Sequence, residues 1–121
     1  METLEVRLSD SVVLRPRGRV DLSNADLFKQ DLLKAVEAAK TAVVLDLTGL
    51  EYVSSAGLRS LIIASKAAAA RGVVLGVAAL QPVVREIFTI SRFHLVIASF
   101  ETVREAVAKL DPAALTHFDA L

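Results

Sequence analysis

Apolar residues change their spacing several times along the chain, and each change predicts an element. In "TLEVRLSDSVVLRPRG", Leu4, Val6 and Leu8 alternate with charged residues, and Val12 to Leu14 resume the apolar run after a Ser-Asp-Ser turn. A period of two on either side of a turn predicts an antiparallel hairpin. From Asp21 the period lengthens: Ala25, Phe28, Leu32, Leu33, Val36 and Ala39 share one helical face, which predicts a helix over residues 24–39 with Ser23 or Asn24 as its cap. "AVVLDLTGL" is a continuous apolar, β-branched run closed by Gly49, as expected of a central strand covered on both faces. Leu58, Leu61, Ile62 and Ser65 then mark one face of a second helix ending near Gly72. "VVLGVAA" reads as another buried strand, Gln81 and Pro82 open a third helix faced by Val84, Ile87 and Phe88, "HLVIAS" returns to strand, and "FETVREAVAKL" forms a last helix stopped by Asp111-Pro112. The tail "DPAALTHFDAL", residues 111–121, either docks through Phe118 or frays.

After the hairpin, strand and helix alternate with connections short enough for right-handed crossovers between parallel strands. The expected fold is α/β: one domain over residues 1–121, with its core within about 4–110. It consists of an N-terminal hairpin followed by repeated β-α units, making a mixed, largely parallel sheet with four helices. Val43, Leu45, Leu61, Ile62, Val74, Leu75 and Phe88 are the expected core.

Composition narrows the function. The 121 residues carry 14 basic and 14 acidic side chains, so no broad basic field is present to hold a nucleic acid, and none is expected as a partner. A chain of this size buries roughly two-thirds of its unfolded surface, so it needs no staple. The absence of Cys removes disulfides, thiolate zinc sites and cysteine nucleophiles together, and the two histidines, His94 and His117, lie too far apart to suggest a metal motif. Hydrophobic residues make up 54% of the chain, yet apolar stretches such as "GVVLGVAAL" stop far short of the ~18 residues a spanning helix needs. "METLEVRLSD" lacks the basic and apolar regions of a secretory signal. A cytoplasmic location with no membrane insertion is the resulting expectation.

The chemistry concentrates in "LTGLEYVSSAGLRSLIIASK", residues 47–66, where Ser54, Ser55, Ala56 and Gly57 join a strand to a helix. At the carboxyl ends of parallel strands, helix N-termini aim free N–H groups and a partial positive charge outward. The plainest reading is that one serine caps the helix while Gly57 permits close packing. The stretch is not a phosphate-binding Walker loop, lacking its Gly spacing and Lys, and not a nucleophile elbow, lacking the flanking glycines.

Taken in order, the hairpin, "GRVDLSNADLF", "VVLDLTGLEYVSSAGLRSLI", "PVVREIFTISRF" and "ETVREAV" resemble the STAS domain family of anti-sigma factor antagonists and their relatives, over residues 4–110. The resemblance implies that Ser55 takes the place of the serine phosphorylated by the family's partner kinase, followed by Ala56, Gly57 and Leu58 at the matching positions. Asp21 matches an acidic position near that serine. Two positions depart from the pattern: Ser54 stands where many phosphorylated members carry an acidic residue, and Arg92 where Gly is common. The implied function is a non-catalytic partner-switching regulator, an anti-sigma factor antagonist that binds a serine kinase/anti-sigma factor while Ser55 is unmodified. A serine phosphatase would restore the binding form. The protein would need no cofactor, ATP and magnesium belonging to the kinase. Asp21, Ser23, Asn24, Ser54, Ser55, Ala56, Gly57, Leu58 and Arg59 are the expected binding face, with Ser60 a further contact. The alternative is a STAS-type accessory subunit of a lipid-transport ABC complex using the same helix face constitutively. A small-anion-binding module ranks below both, with an enzyme lower still.

Overall fold

Parallel strands with β-branched, doubly buried faces form the centre of the molecule, and the hairpin supplies its antiparallel edge. The computed structural model describes residues 2–121. Strand β1 (Glu2–Leu8) pairs antiparallel with β2 (Ser11–Val20), and helix α1 (Ala25–Ala38) crosses to β3 (Ala42–Asp46), which lies parallel to β2. A short β4 (Leu50–Val53) leads into α2 (Ser55–Ala70). Strand β5 (Val74–Ala78), α3 (Pro82–Ile90), β6 (Ala98–Phe100), α4 (Val103–Leu110) and α5 (Leu115–Asp119) complete the chain. The sheet order is β1-β2-β3-β5-β6, and β4 pairs parallel with the far end of β2.

The two faces of the sheet are covered unequally. On one, Val12, Leu14, Val43, Leu45, Leu75 and Val77 pack with Phe28 and Leu32 of α1, Leu61 and Ala64 of α2, and Phe88 of α3. On the other, Val13, Val44 and Ala78 meet Ala106 and Val107 of α4, with Phe118 of α5 packed alongside. The tail therefore docks through Phe118, and a bidentate pair from Arg104 Nε and Nη2 to Asp119, each 3.0 Å, ties α5 to α4. Beneath them the Ser11 hydroxyl donates to Asp111 Oδ2 at 2.6 Å, both residues buried, anchoring the end of α4 to the start of β2.

The sequence-based architecture holds: a mixed, largely parallel sheet after a hairpin. Four details differ. The run "AVVLDLTGL" is two strands, because Asp46 Oδ1 accepts from the Thr48 amide and hydroxyl and folds the chain into a turn before β4. Val74 is 47% exposed instead of buried. Its neighbour β6 begins only at Ala98, opposite Gly76, so no strand pairs beside Val74 on that side. Most of "HLVIAS" is a turn: Phe93–Leu95 is 3₁₀, with Phe93 and Ile97 buried four residues apart and Leu95 and Val96 exposed between them, and only Ala98–Phe100 is strand. The tail adds a fifth helix to the four expected.

The 3₁₀ turn begins at Arg92, which sits in the left-handed region at φ 58°. That conformation costs an L-residue about 1–2 kcal/mol, part of which Gly gives back through its unfolded-state entropy. Arg92→Gly should therefore raise the melting temperature by roughly 2–4 °C. A lower melting temperature would contradict the strain assigned to this position.

Candidate functional site

The loop between β4 and α2 is built by a close approach. A Cβ on Gly57 would lie 2.6 Å from Val53 Cγ2 and 2.8 Å from Val20 Cγ1, so only glycine lets the first turn of α2 rest on the ends of β4 and β2. The Ser54 amide donates to the Val20 carbonyl at 2.9 Å, fixing the loop to β2. Ser54 is extended (φ −83°, ψ 172°), and its hydroxyl oxygen accepts from the Gly57 amide at 3.2 Å. That is an N-cap, the geometry that satisfies one free helix amide. Ser54 is therefore spent on the backbone. Ser55, the first helical residue, is exposed, and its hydroxyl stands in the outward field of the helix terminus.

The second half of the site is the turn from Asp21 to Asn24. Asp21 Oδ1 accepts from the amide of Ser23 at 2.9 Å and from its hydroxyl at 2.5 Å. Asn24 Oδ1 accepts from the Asp21 amide and its Nδ2 donates to the Arg19 carbonyl, both at 2.9 Å. Neither Ser23 nor Asn24 caps α1 with its side chain, contrary to the expectation for that helix, because both are committed to this turn. The Ser23 hydroxyl and amide hold the Asp21 carboxyl below its ordinary range, with smaller help from the Asn24 backbone and Arg19.

The structure brings Asp21, Ser23 and Asn24 to the same end of the sheet as Ser54 to Arg59. Helices α1 and α2 pack together, and the Ser60 hydroxyl donates to the Ala25 carbonyl at 3.0 Å across their contact. Ser60 itself is 5% exposed, so it stitches helix to helix and is not a surface contact. Gly57 is buried as well and acts through packing, whereas Arg59 is exposed.

Two shallow grooves lie at the start of α2, and the sequence pattern had not singled out their outer residues. One, of mixed polarity, runs between α1 and α2 past Leu22, Asp26, Lys29, Ala56, Arg59 and Ile63. The other runs toward α3 past Tyr52, Leu58, Ile87 and Ile90. Leu22 and Ile90 are 86% and 75% exposed, the former inside an otherwise polar turn and the latter off the buried stripe of α3. An apolar residue outside its element's period was the available signal. Among the described residues no group of His, Asp and Glu is arranged to hold a metal ion, and no helix is long and apolar enough to cross a membrane.

These features, a hairpin-led α/β sheet with a serine-bearing helix N-terminus at its carboxyl end, define a small domain class, and comparison with known proteins identifies it. The STAS domain model matches residues 3–106, and the chain belongs to that family. The protein named "Putative anti-sigma factor antagonist BtrV", from Bordetella bronchiseptica, is 38% identical over 99 residues, spanning 82% of this chain and 84% of the relative. The crystal structure of an anti-sigma factor antagonist from Mycobacterium paratuberculosis superposes with a TM-score of 0.81 at 22% identity, covering 90% of this chain and 92% of that one. The Bacillus cell fate determinant SpoIIAA in its phosphorylated form superposes with a TM-score of 0.64 at 18% identity, over 89% and 98% of the two chains.

Two outcomes follow from this geometry. Gly57→Ala forces a methyl into Val20 and Val53 and should cost about 1–3 kcal/mol by chemical denaturation; a neutral effect would mean that the contact is not tight. In a carboxyl-detected NMR titration, Asp21 should titrate below an ordinary aspartate, and Ser23→Ala should move it upward. Because the folded-state value is depressed, the stability contributed by this turn is present at neutral pH and is lost as pH falls through that value. An unchanged midpoint in Ser23→Ala would remove the serine as its cause.

Proposed function

We propose that this protein is a non-catalytic, phosphorylation-controlled partner-switching regulator, an anti-sigma factor antagonist whose unmodified Ser55 face binds a serine kinase/anti-sigma factor. The observation that carries the reading is the division of labour between the two serines. Ser54 caps α2, so Ser55 is left with an exposed hydroxyl and no structural duty. The likeness to BtrV supports the class, and the existence of SpoIIAA in a phosphorylated form supports the chemistry.

The switch needs little from this chain beyond position. The kinase would supply ATP and magnesium; the Ser55 oxygen bonds to the γ-phosphorus as the bond to the β-phosphate oxygen breaks, ADP leaves, and the hydroxyl proton passes to a base of the kinase. The product carries about −1.5 to −2 charges and three acceptor oxygens. A helix N-terminus tolerates that anion, gaining about 0.3–1 kcal/mol, so the fold stays intact. The partner surface does not tolerate it: Ser55 lines a groove with Tyr52, Leu58, Ile87 and Ile90, and a phosphate covered by a partner there would lose its water among mainly apolar neighbours. Asp21, already hydrogen-bonded to Ser23, adds negative charge on the same side and does not neutralise the phosphate. A serine phosphatase resets the state, and the dependence on ATP assigns the system to the cytoplasm.

Ser55→Asp should melt at or a few degrees above the parent, by roughly 1–5 °C, while weakening calorimetric binding to the candidate kinase by roughly 30-fold or more, a loss on the scale of an interface hot spot. Ser55→Ala should bind and resist release by ATP. Ser54→Ala should instead lose about 1 kcal/mol of stability and keep its switching. Phosphate appearing at Ser54 or nowhere, or full affinity in Ser55→Asp, would overturn the switch in favour of a constitutive docking subunit.

A further inference from the structure

Strand β1 is the open edge of the sheet. It pairs with β2 on one side, and among the described residues no strand pairs with its other side. Its ladder runs unbroken from Glu2 to Leu8, with no bulge, Pro or Lys to blunt the edge. Which backbone groups face outward follows from the hairpin. The turn at Ser9 and Asp10 closes on Leu8 and Ser11, a hydrogen-bonded pair, and bonded and non-bonded pairs alternate from there. Thr3 therefore meets Pro16 at a non-bonded pair, where a residue without an N–H is tolerated. Thr3, Glu5 and Arg7 aim their amides and carbonyls away from β2.

The side chains of this edge are complementary to themselves. Leu4, Val6 and Leu8 share one face of β1, where Val6 packs, partly buried, against the cluster under α4 and α5. Leu4 continues that row and is 54% exposed. On the other face Arg7 Nε lies 3.3 Å from Glu5 Oε2, two residues along the same strand, and both side chains reach solvent. A carboxylate and a guanidinium so placed each have hydrogen-bonding capacity to spare. Thr3 Oγ1, on the same face, is shielded from water and has no hydrogen-bond partner.

We infer that β1 is a pairing edge for a second copy of this chain, the two strands running antiparallel about a two-fold axis at Val6. In that register Val6 meets its symmetry mate, Leu4 meets Leu8, and Glu5 of each copy stands opposite Arg7 of the other. Glu5 and Arg7 are the residues whose backbone faces outward, so each such pair exchanges both main-chain hydrogen bonds. Their side chains close an alternating ring of charges across the axis, and Thr3 falls opposite Ser9. Sliding the strands by two residues either way sets Glu5 against Glu5 or Arg7 against Arg7, so the charges select one register, and the strand that satisfies it is the chain's own. Val6 pairs with Val13, seven residues before the Val20 carbonyl that holds the Ser54 amide, a separation of roughly 23 Å along β2. Pairing at β1 therefore leaves both Ser55 faces open.

Pairing along one short strand buries less than the roughly 1,200 Å² of a standard interface, so the dimer is weak and the test uses concentrated protein. Sedimentation equilibrium on the full chain should show monomer passing to dimer as concentration rises to about 1 mM. Over the same range the amides of Glu5 and Arg7 should shift in NMR spectra and gain exchange protection, whereas those of Leu4 and Val6, already bonded to β2, should be protected throughout. Glu5→Lys and Arg7→Glu, each checked for folding by its melting temperature, should weaken dimerisation roughly fivefold or more. An equimolar mixture of the two variants should pair as the parent does, because both facing positions then combine opposite signs again. A chain that stays monomeric at that concentration, a dimer that neither variant weakens, or a mixture no better than its components would overturn the proposal. Concentration-dependent shifts centred on α2 or β6 would place the contact elsewhere and overturn it too.

Discussion

The approach of the Gly57 backbone to Val20 and Val53 is the constraint on which the site depends. Because no side chain intervenes, the first turn of α2 sits directly on the ends of two parallel strands. The Ser54 amide reaches the Val20 carbonyl, and the Ser54 hydroxyl turns inward to the Gly57 amide. One residue later the chain has no inward partner left to satisfy, and Ser55 faces outward. Exposure of that hydroxyl is thus a consequence of how the helix is seated. A larger residue at Gly57 would lift the turn, lengthen the capping bond and change the angle at which Ser55 is offered.

The same sheet also organises what surrounds the serine. Its parallel strands bring the turn after β2 beside the start of α2, and the ladder between Asp21, Ser23 and Asn24 keeps that turn rigid without side-chain capping of α1. Rigid polar geometry with exposed leucine and isoleucine around it suits a surface that must dock in one register and release when a charge arrives. The opposite side is built differently. There α4 and α5 close one half through Phe118 and the Arg104–Asp119 pair, and the other half carries Arg15, paired with Asp46, and Arg17, its stem against Gly49.

Periodicity made the main elements legible because each buried face here is continuous: the stripe from Ala25 to Val36 could only be a helix against the sheet, and Val12 to Leu14 only a covered strand. The serine site was legible for a similar reason, since a change of period at Val53 locates a helix terminus. What escaped depends on partners distant in sequence. Val74 has the composition of core yet lies where β6 has not begun. Ser60 looks like a surface serine yet bonds Ala25, 35 residues away. The turn at Arg92 hides in an apolar stretch because Phe93 and Ile97 are both buried, which alternation and a helical turn predict equally until the backbone is seen. The anchoring of α4, on which the tail packs, rests on Ser11 meeting Asp111, a pair 100 residues apart that no local pattern encodes.

The central claim is that a phosphate on Ser55 abolishes partner binding without altering the fold, and the most direct measurement uses the modified protein itself. Phosphoserine installed at position 55 by semisynthesis should leave amide exchange protection in β2, β3 and β5 unchanged. It should also raise the Kd for the partner kinase by at least roughly 30-fold relative to the unmodified chain. Equal affinity of the two forms, or loss of protection in the central strands on phosphorylation, would contradict the account.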